Sequence, residues 1–362
     1  MITRIHIKGY KSIKELDLRL KPINILLGSN GVGKSNFISI FSLLRNIYNK
    51  NFQNYVKLKG GADSLLHFGK KETNSILFDI CFGGLDYDRN RFIINLTEAQ
   101  DNLFIESVQT AFMPQVHWHF QDFETNVEES NFSSINRGQA YYVNDYLKEF
   151  DVYHFHDTGD KSPMKGNCNI HDNWKLNRDG SNLAAFLYFL KIKHKKNFIR
   201  IEKTIQSIAP FFDKFDLKPN RLNEEKIQLE WKESGYPDAY FNAYHLSDGT
   251  LRFICLATLL MQPNPPKTII IDEPELGLHP VAINKLAALI RKVSEETQVI
   301  VSTQSVNLID NFDPEDIIVT DRKDKSSTFR RLTSEELAEW KEEYSLGDMW
   351  GKNLFGAQPY SI

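Results

Sequence analysis

The chain has 362 residues, enough for one large or two ordinary domains with a substantial core. Charged residues make up 25% of it and apolar residues 41%, as in a soluble globular protein, and the formal charge of −3 argues neither for nor against nucleic acid. Cys81, Cys168 and Cys255 stand far apart with no C-x-x-C pair, no signal-peptide pattern opens the chain, and no apolar run reaches membrane-spanning length; this excludes a disulfide framework or zinc ribbon and predicts a cytoplasmic protein.

Ile5 and Ile7, then Leu16, Leu18 and Leu20, alternate with polar residues on either side of a turn at Gly9-Tyr10, which predicts an antiparallel pair of half-buried strands. Pro22 precedes an apolar run, residues 23–27, that reads as a buried strand. Gly28-Ser29-Asn30-Gly31-Val32-Gly33-Lys34-Ser35 comes next and fits the P-loop pattern G-x-x-x-x-G-K-[ST]. Phe37, Ile40, Phe41, Leu44 and Ile47 then recur at helical spacing, so the motif has the strand before and helix after that it requires. Its glycines let successive N–H groups converge on phosphate oxygens, and the new helix adds its positive end. Lys34 is expected to reach the β- and γ-phosphates and Ser35 to help hold Mg²⁺, with Asn36 grouped among the nucleotide-binding residues. Lys11, in the first turn, either leans over bound phosphate or is a solvated turn lysine.

Residues 60–69, with bracketing glycines, read as a structured loop, and 75–82 and 91–96 as strands. From 97 to 229 the apolar periodicity is poor and asparagine is frequent, so this stretch reads as an α-rich insertion in the core. Within it Asp179-Gly180-Ser181-Asn182 marks the start of an amphipathic helix over 183–195, which ends in the basic run 191–196. The core resumes at 230, making 1–96 and 230–332 one split domain. Thr268-Ile269-Ile270-Ile271-Asp272-Glu273 has the continuous apolar run of a central parallel strand. A helix through Ile283, Leu286, Ala287, Ile290 and Val293 follows, then buried strands at 298–303 and 316–320. The tail, 333–362, opens with a capping-box pattern, is predicted to form a charged helix, and carries Met349-Trp350 and Leu354-Phe355 for packing on the core or on a partner.

Asp272 and Glu273, at the end of their strand, are the acids a P-loop needs: Asp272 for the Mg²⁺ shell, Glu273 to orient or deprotonate the attacking water. Leu246-Ser247-Asp248-Gly249-Thr250-Leu251-Arg252, ahead of an apolar helix through Met261, resembles the LSGGQ signature of ABC-type ATPases in its RecF-like and SMC-like variant. Ser247 is a good N-cap and Gly249 permits close approach of a ligand to the backbone. In that family the signature faces nucleotide held by a second subunit, which groups Ser247, Asp248 and Gly249 with the nucleotide-binding residues. Asp248 replaces a glycine there, and its charge opposes phosphate unless it points away. Pro274-Glu275-Leu276-Gly277-Leu278-His279-Pro280 resembles the family's D-loop, which crosses the dimer interface. Gln304 stands where most members place a γ-phosphate-sensing histidine; glutamine carries no positive charge, which implies slow turnover. The Q-loop glutamine is not assigned.

Taken whole, the chain resembles predicted ATPases of the RecF/OLD-like ABC group, of the kind encoded in bacterial defence islands; residues 60–69, 153–158, 179–185 and the tail near Trp350 add to the likeness. The resemblance implies an α/β P-loop NTPase: an ABC-type ATPase head with a mixed-sheet core, antiparallel N-terminal strands and an inserted α-rich region. It implies ATP and Mg²⁺ as cofactors, hydrolysis of ATP to ADP and phosphate, and a homodimer closed around two ATP molecules. No Toprim nuclease domain follows, unlike in OLD nucleases, so a nuclease or toxin effector is expected to be a separate protein. DNA association and higher oligomers are left open, and no membrane partner is expected. The leading function is a sensor or regulator in anti-phage defence or DNA transactions; the alternatives are a repair ATPase acting directly on DNA and a transporter's nucleotide-binding subunit. No N-K-x-D sequence is present, which favours ATP over GTP. His117 with His119, and His154 with His156 and Asp157, share strand faces but lack cysteine partners, so they read as structural rather than metal-binding.

Overall fold

A computed structural model describes residues 1–84, 87–340 and 343–358. The chain folds as two compact units: Met1–Val152 with Pro266–Ile270 and Glu296–Ile362, and Tyr153–Pro265 with Ile271–Glu295.

In the first unit, strand Ile23–Leu27 lies between Gln298–Thr303 and Ile317–Lys323 and runs parallel to both, with Thr303 opposite Leu27 and Val319 also opposite Leu27. Ser326–Arg331 extends the sheet antiparallel to Ile317–Lys323, and Thr268–Asp272 lies next to Gln298–Thr303. Ile25, Leu26, Val299, Ile300, Val301, Ile317 and Ile318 are wholly buried, the reason their strands read as unbroken apolar runs. Asn24 is the polar exception, and it is fully satisfied. Its amide nitrogen donates to the Lys21 carbonyl (2.6 Å), and its oxygen accepts from Lys21 N (2.9 Å) and Arg331 Nη2 (2.6 Å).

A second, antiparallel sheet has the order Ile13–Arg19, Ile2–Tyr10, Ser75–Gly83, Asp88–Ala99, Asn102–Phe112, His119–Val127. Ile5, Ile7, Phe78, Ile80 and Ile94 from this sheet share one apolar core with Phe37, Phe41 and Leu44 of the helix Lys34–Tyr48. Edge-on aromatic pairs stitch it together, Tyr10 on Phe78 (5.4 Å) and Phe41 on Phe150 (5.3 Å). Residues 60–69 are ordered as expected: Leu65 O accepts from Lys11 N and Gly9 O from His67 N, both at 2.9 Å. The boundary expected at Thr97 falls inside Asp88–Ala99, and the sheet runs on through two more strands. The outermost, His119–Val127, is exposed or half-exposed along its whole length, so it has no apolar alternation to read.

The second unit contains the helices Leu183–Lys193, Lys195–Gln206, Asp248–Met261 and Pro280–Val293. A small sheet, Phe212–Phe215, Glu230–Glu233 and Tyr236–Asn242, packs Phe212, Trp231 and Phe241 together. The single helix expected over 183–195 breaks at His194, whose φ of −132° and ψ of 52° are not helical. The first piece is buried almost all round, whereas the second buries only Phe198, Ile201 and Ile205 on one face. Buried Asn182, as expected, stands at the helix start; its side chain accepts from Asn177 N (2.8 Å) and donates to Lys175 O (2.7 Å).

The tail departs from its expectation of a continuous charged helix. Its described part has turns over 334–340 and one short helix, Leu346–Gly351. In the segment 335–340 only Leu337 is buried, while Trp340 stays exposed and three glutamates flank them, so a helix there would dock little apolar surface. Met349, Trp350, Phe355 and Ala357 are buried in the first unit, and the Gly347 N–H donates to Asp310 Oδ1 (2.6 Å). Among the described residues no helix is long and apolar enough to cross a membrane.

Candidate functional site

The P-loop leaves the end of strand Ile23–Leu27 and enters the helix Lys34–Tyr48 through two left-handed glycines, Gly31 (φ 80°) and Gly33 (φ 116°). A Cβ on Gly33 would collide with Ser327 Oγ, whereas one on Gly31 would meet open space. The loop is thus braced on one side and open on the other. Bracing comes from a polar chain: Asn36 Nδ2 donates to Ser12 Oγ (2.7 Å), the Ser12 and Ser327 hydroxyls lie 2.6 Å apart, and Ser327 Oγ donates to Val32 O (2.6 Å). Asn36 therefore holds the loop's shape. Ser29 N donates to Ala357 O (3.0 Å), so the tail also secures the loop. Buried Lys34 curls back over the motif and donates to the carbonyls of Gly28 (2.6 Å) and Ser29 (2.9 Å).

Gln304, just past Gln298–Thr303, donates from Nε2 to Asn30 Oδ1 (2.8 Å), which brings it onto the P-loop. Lys11 is half-buried rather than a fully solvated turn lysine. Its ammonium is partly buried, donates to Ser39 Oγ on the P-loop helix (2.9 Å) and lies 5.3 Å from the Tyr10 ring centre. Burial, and then the charge of Lys59, push its pKa down to about 8.

In the second unit, Asp272 ends the strand Thr268–Asp272, and its carbonyl accepts from His156 Nε2 (2.8 Å). Glu273 follows with φ 42°, a left-handed backbone that a non-glycine residue adopts at a cost of about 1–3 kcal/mol. Ser247 is the N-cap of Asp248–Met261, its hydroxyl oxygen accepting from Thr250 N (3.2 Å). Gly249 is required by packing: a Cβ there would strike the carbonyl of Gly277, itself left-handed at φ 74° in the segment 274–280. Asp248 is mostly exposed, and its carboxylate lies 3.8 Å from the ammonium of buried Lys165.

Two residues whose roles sequence reasoning missed hold this region together. Arg252 donates from Nη1 to Leu276 O (2.6 Å), from Nη2 to His156 O (2.8 Å) and from Nε to Phe155 O (3.2 Å). It fastens the signature helix to both the 274–280 segment and the 153–158 stretch. His156, through Asp272, continues that link. The available signal was the resemblance in 153–158 and the arginine at the end of the quoted signature. His154 and His156 meet edge to face with ring centres 6.0 Å apart, and among the described residues no cluster of three or more His, Cys, Asp or Glu side chains could hold a metal. Mg²⁺ needs no such cluster, since it takes one or two protein oxygens and fills its shell with water and phosphate. The Ser35 hydroxyl and Asp272 carboxylate are hard oxygen donors of that chemistry, and the open side of the loop at Gly31 leaves room for phosphate.

Residues 23–310 match the family described as "AAA domain, putative AbiEii toxin, Type IV TA system". No curated protein matches the chain significantly. Among solved structures, the chain is similar to the Smc head bound to the C-winged helix domain of ScpA, with 16% identity and a TM-score of 0.60 over 93% of this chain and 99% of that one. It is also similar to the Smc head domain with an extended coiled coil bound to the C-terminal domain of ScpA from Pyrococcus furiosus (15% identity, TM-score 0.57, 94% of this chain and 98% of that one). For the SMC head domain from Thermotoga maritima the values are 12%, 0.50, 92% and 99%. At such identities the likeness is one of fold. The chain has the α/β fold of an SMC-type, ABC-type ATPase head, a mostly parallel central sheet beside an antiparallel N-terminal one, and it belongs to the AAA-domain family associated with AbiEii toxin and type IV TA systems.

Proposed function

We propose that the protein is an ATP-hydrolysing switch that closes as a homodimer around two ATP molecules and thereby regulates a separately encoded effector. The observation that carries this reading is that one chain holds a braced P-loop in its first unit and a capped signature helix in its second. In ABC-type architecture these are complementary halves of one site, joined between copies.

Lys34, held over the loop by the Gly28 and Ser29 carbonyls, exchanges those contacts for phosphate oxygens. Ser35 and Asp272 would hold Mg²⁺, which when bound offsets phosphate charge. The second copy's Ser247 hydroxyl and the first amides of its helix, including Gly249, meet the γ-phosphate. Glu273 takes a proton from the attacking water as the bond between the γ-phosphorus and its bridging oxygen breaks. Gln304, anchored on Asn30, orients water or γ-phosphate by hydrogen bonding without positive charge, and hydrolysis is correspondingly slow. The family's association with AbiEii toxin and type IV TA systems supports a toxin as the effector.

Glu273→Gln is expected to bind ATP, fail to turn it over and accumulate as a dimer. Lys34→Ala should weaken ATP binding by about 100-fold, the loss of one or two charge-assisted bonds to phosphate. Calorimetric titration with ATP tests the second expectation and light scattering with saturating ATP the first, and a Glu273→Gln protein that binds ATP yet stays monomeric would sink the shared-site reading. Pull-down from the native host with and without ATP then identifies the effector.

A further inference from the structure

The aspartate at the third position of the signature poses a charge problem that the structure answers. Asp248 is the first residue of its helix, where a carboxylate suits the helix but repels an approaching triphosphate. Its side chain is 62% exposed, whereas that of Lys165, 3.8 Å away, is only 7% exposed. The cation thus lies on the protein side of the pair, behind the carboxylate. A buried ammonium is costly unless an opposite charge answers it, and Asp248 supplies that charge.

Lys165 is held firmly in this position. It ends the short turn Pro163–Lys165, which the Ser162 hydroxyl caps by accepting from Met164 N (3.3 Å). The Lys165 carbonyl accepts from Gln228 Nε2 (2.9 Å), and the ammonium lies 6.0 Å from the Tyr244 ring centre. Met164 Sδ accepts from the Cys255 thiol in the signature helix (3.2 Å), so turn and helix are fastened together.

We infer that Lys165 is a positioning residue of the signature half-site: it neutralises Asp248 and draws its carboxylate back, so that a γ-phosphate carried by a second copy reaches Ser247 and the first helix amides. This rests on the shared-site reading above. The test is a double-mutant cycle in the Glu273→Gln protein, reading the ATP-dependent monomer–dimer equilibrium by analytical ultracentrifugation. Lys165→Met, or Lys165→Gln should the first fold poorly, is expected to raise the dimer dissociation constant at least about tenfold through the uncompensated aspartate. Asp248→Asn should dimerise no more weakly than the parent, and adding Lys165→Met to it should restore dimerisation to near the parent's level. Retention of dimerisation by Lys165→Met, a double variant no better than Lys165→Met, or a clearly weakened Asp248→Asn would each overturn the inference. If the Glu273→Gln parent does not dimerise, the shared-site reading falls and this one with it; if the parent dimerises normally, only this one is at stake.

Discussion

At the scale of single residues, Arg252 shows how one side chain can organise a site without touching its chemistry. Its guanidinium serves the carbonyls of the neighbours Phe155 and His156 and of Leu276, which lies far from them in sequence. Arg252→Ala removes all these bonds and leaves carbonyls unanswered, so a loss of about 2–4 kcal/mol is expected, visible as a lower midpoint in urea. Arg252→Lys should recover only part of it, because a single ammonium cannot match the planar fork. As site candidates, Lys34, Ser35, Asp272 and Glu273 were legible from the sequence because motif and neighbouring strand or helix occur in one short stretch. Lys165 and His156 were not, since each acts on a residue about 80 or more positions away.

At the scale of elements, the strands with continuous apolar runs were readable from local pattern, as were the P-loop helix and the signature helix with its serine cap. The edge strand His119–Val127 was not, because a strand that buries neither face leaves no periodicity. The break at His194 was likewise hidden within a run of good helix formers. The signature helix and the 274–280 segment are in contact at their backbones, and this gives a further test. Gly249→Ala brings a methyl against the Gly277 carbonyl, so a destabilisation of about 1–3 kcal/mol is expected in thermal or urea unfolding. A variant as stable as the parent would show that this segment yields freely.

At the scale of the whole molecule, the last residues act as structure. Met349, Trp350 and Phe355 are buried in the first unit, and Ala357 O receives the Ser29 N–H of the P-loop. Exposing three large apolar side chains is worth about 4–8 kcal/mol, comparable to the stability of a domain. Deletion from Ser345 onward is therefore expected to give a protein that unfolds or aggregates at ordinary temperature, and circular dichroism of the truncated chain checks this. Local pattern alone determined the α/β class and the P-loop motif, because glycine spacing, apolar runs and caps act over a few neighbouring residues; the acid pair and, through a family resemblance, the signature entered as candidates. Tertiary structure alone decided how the units are drawn from interleaved segments, that Gln304 reaches Asn30, and that Lys165 stands behind Asp248. Those pairings join distant parts of the chain, and no local pattern of residues encodes which distant groups will meet.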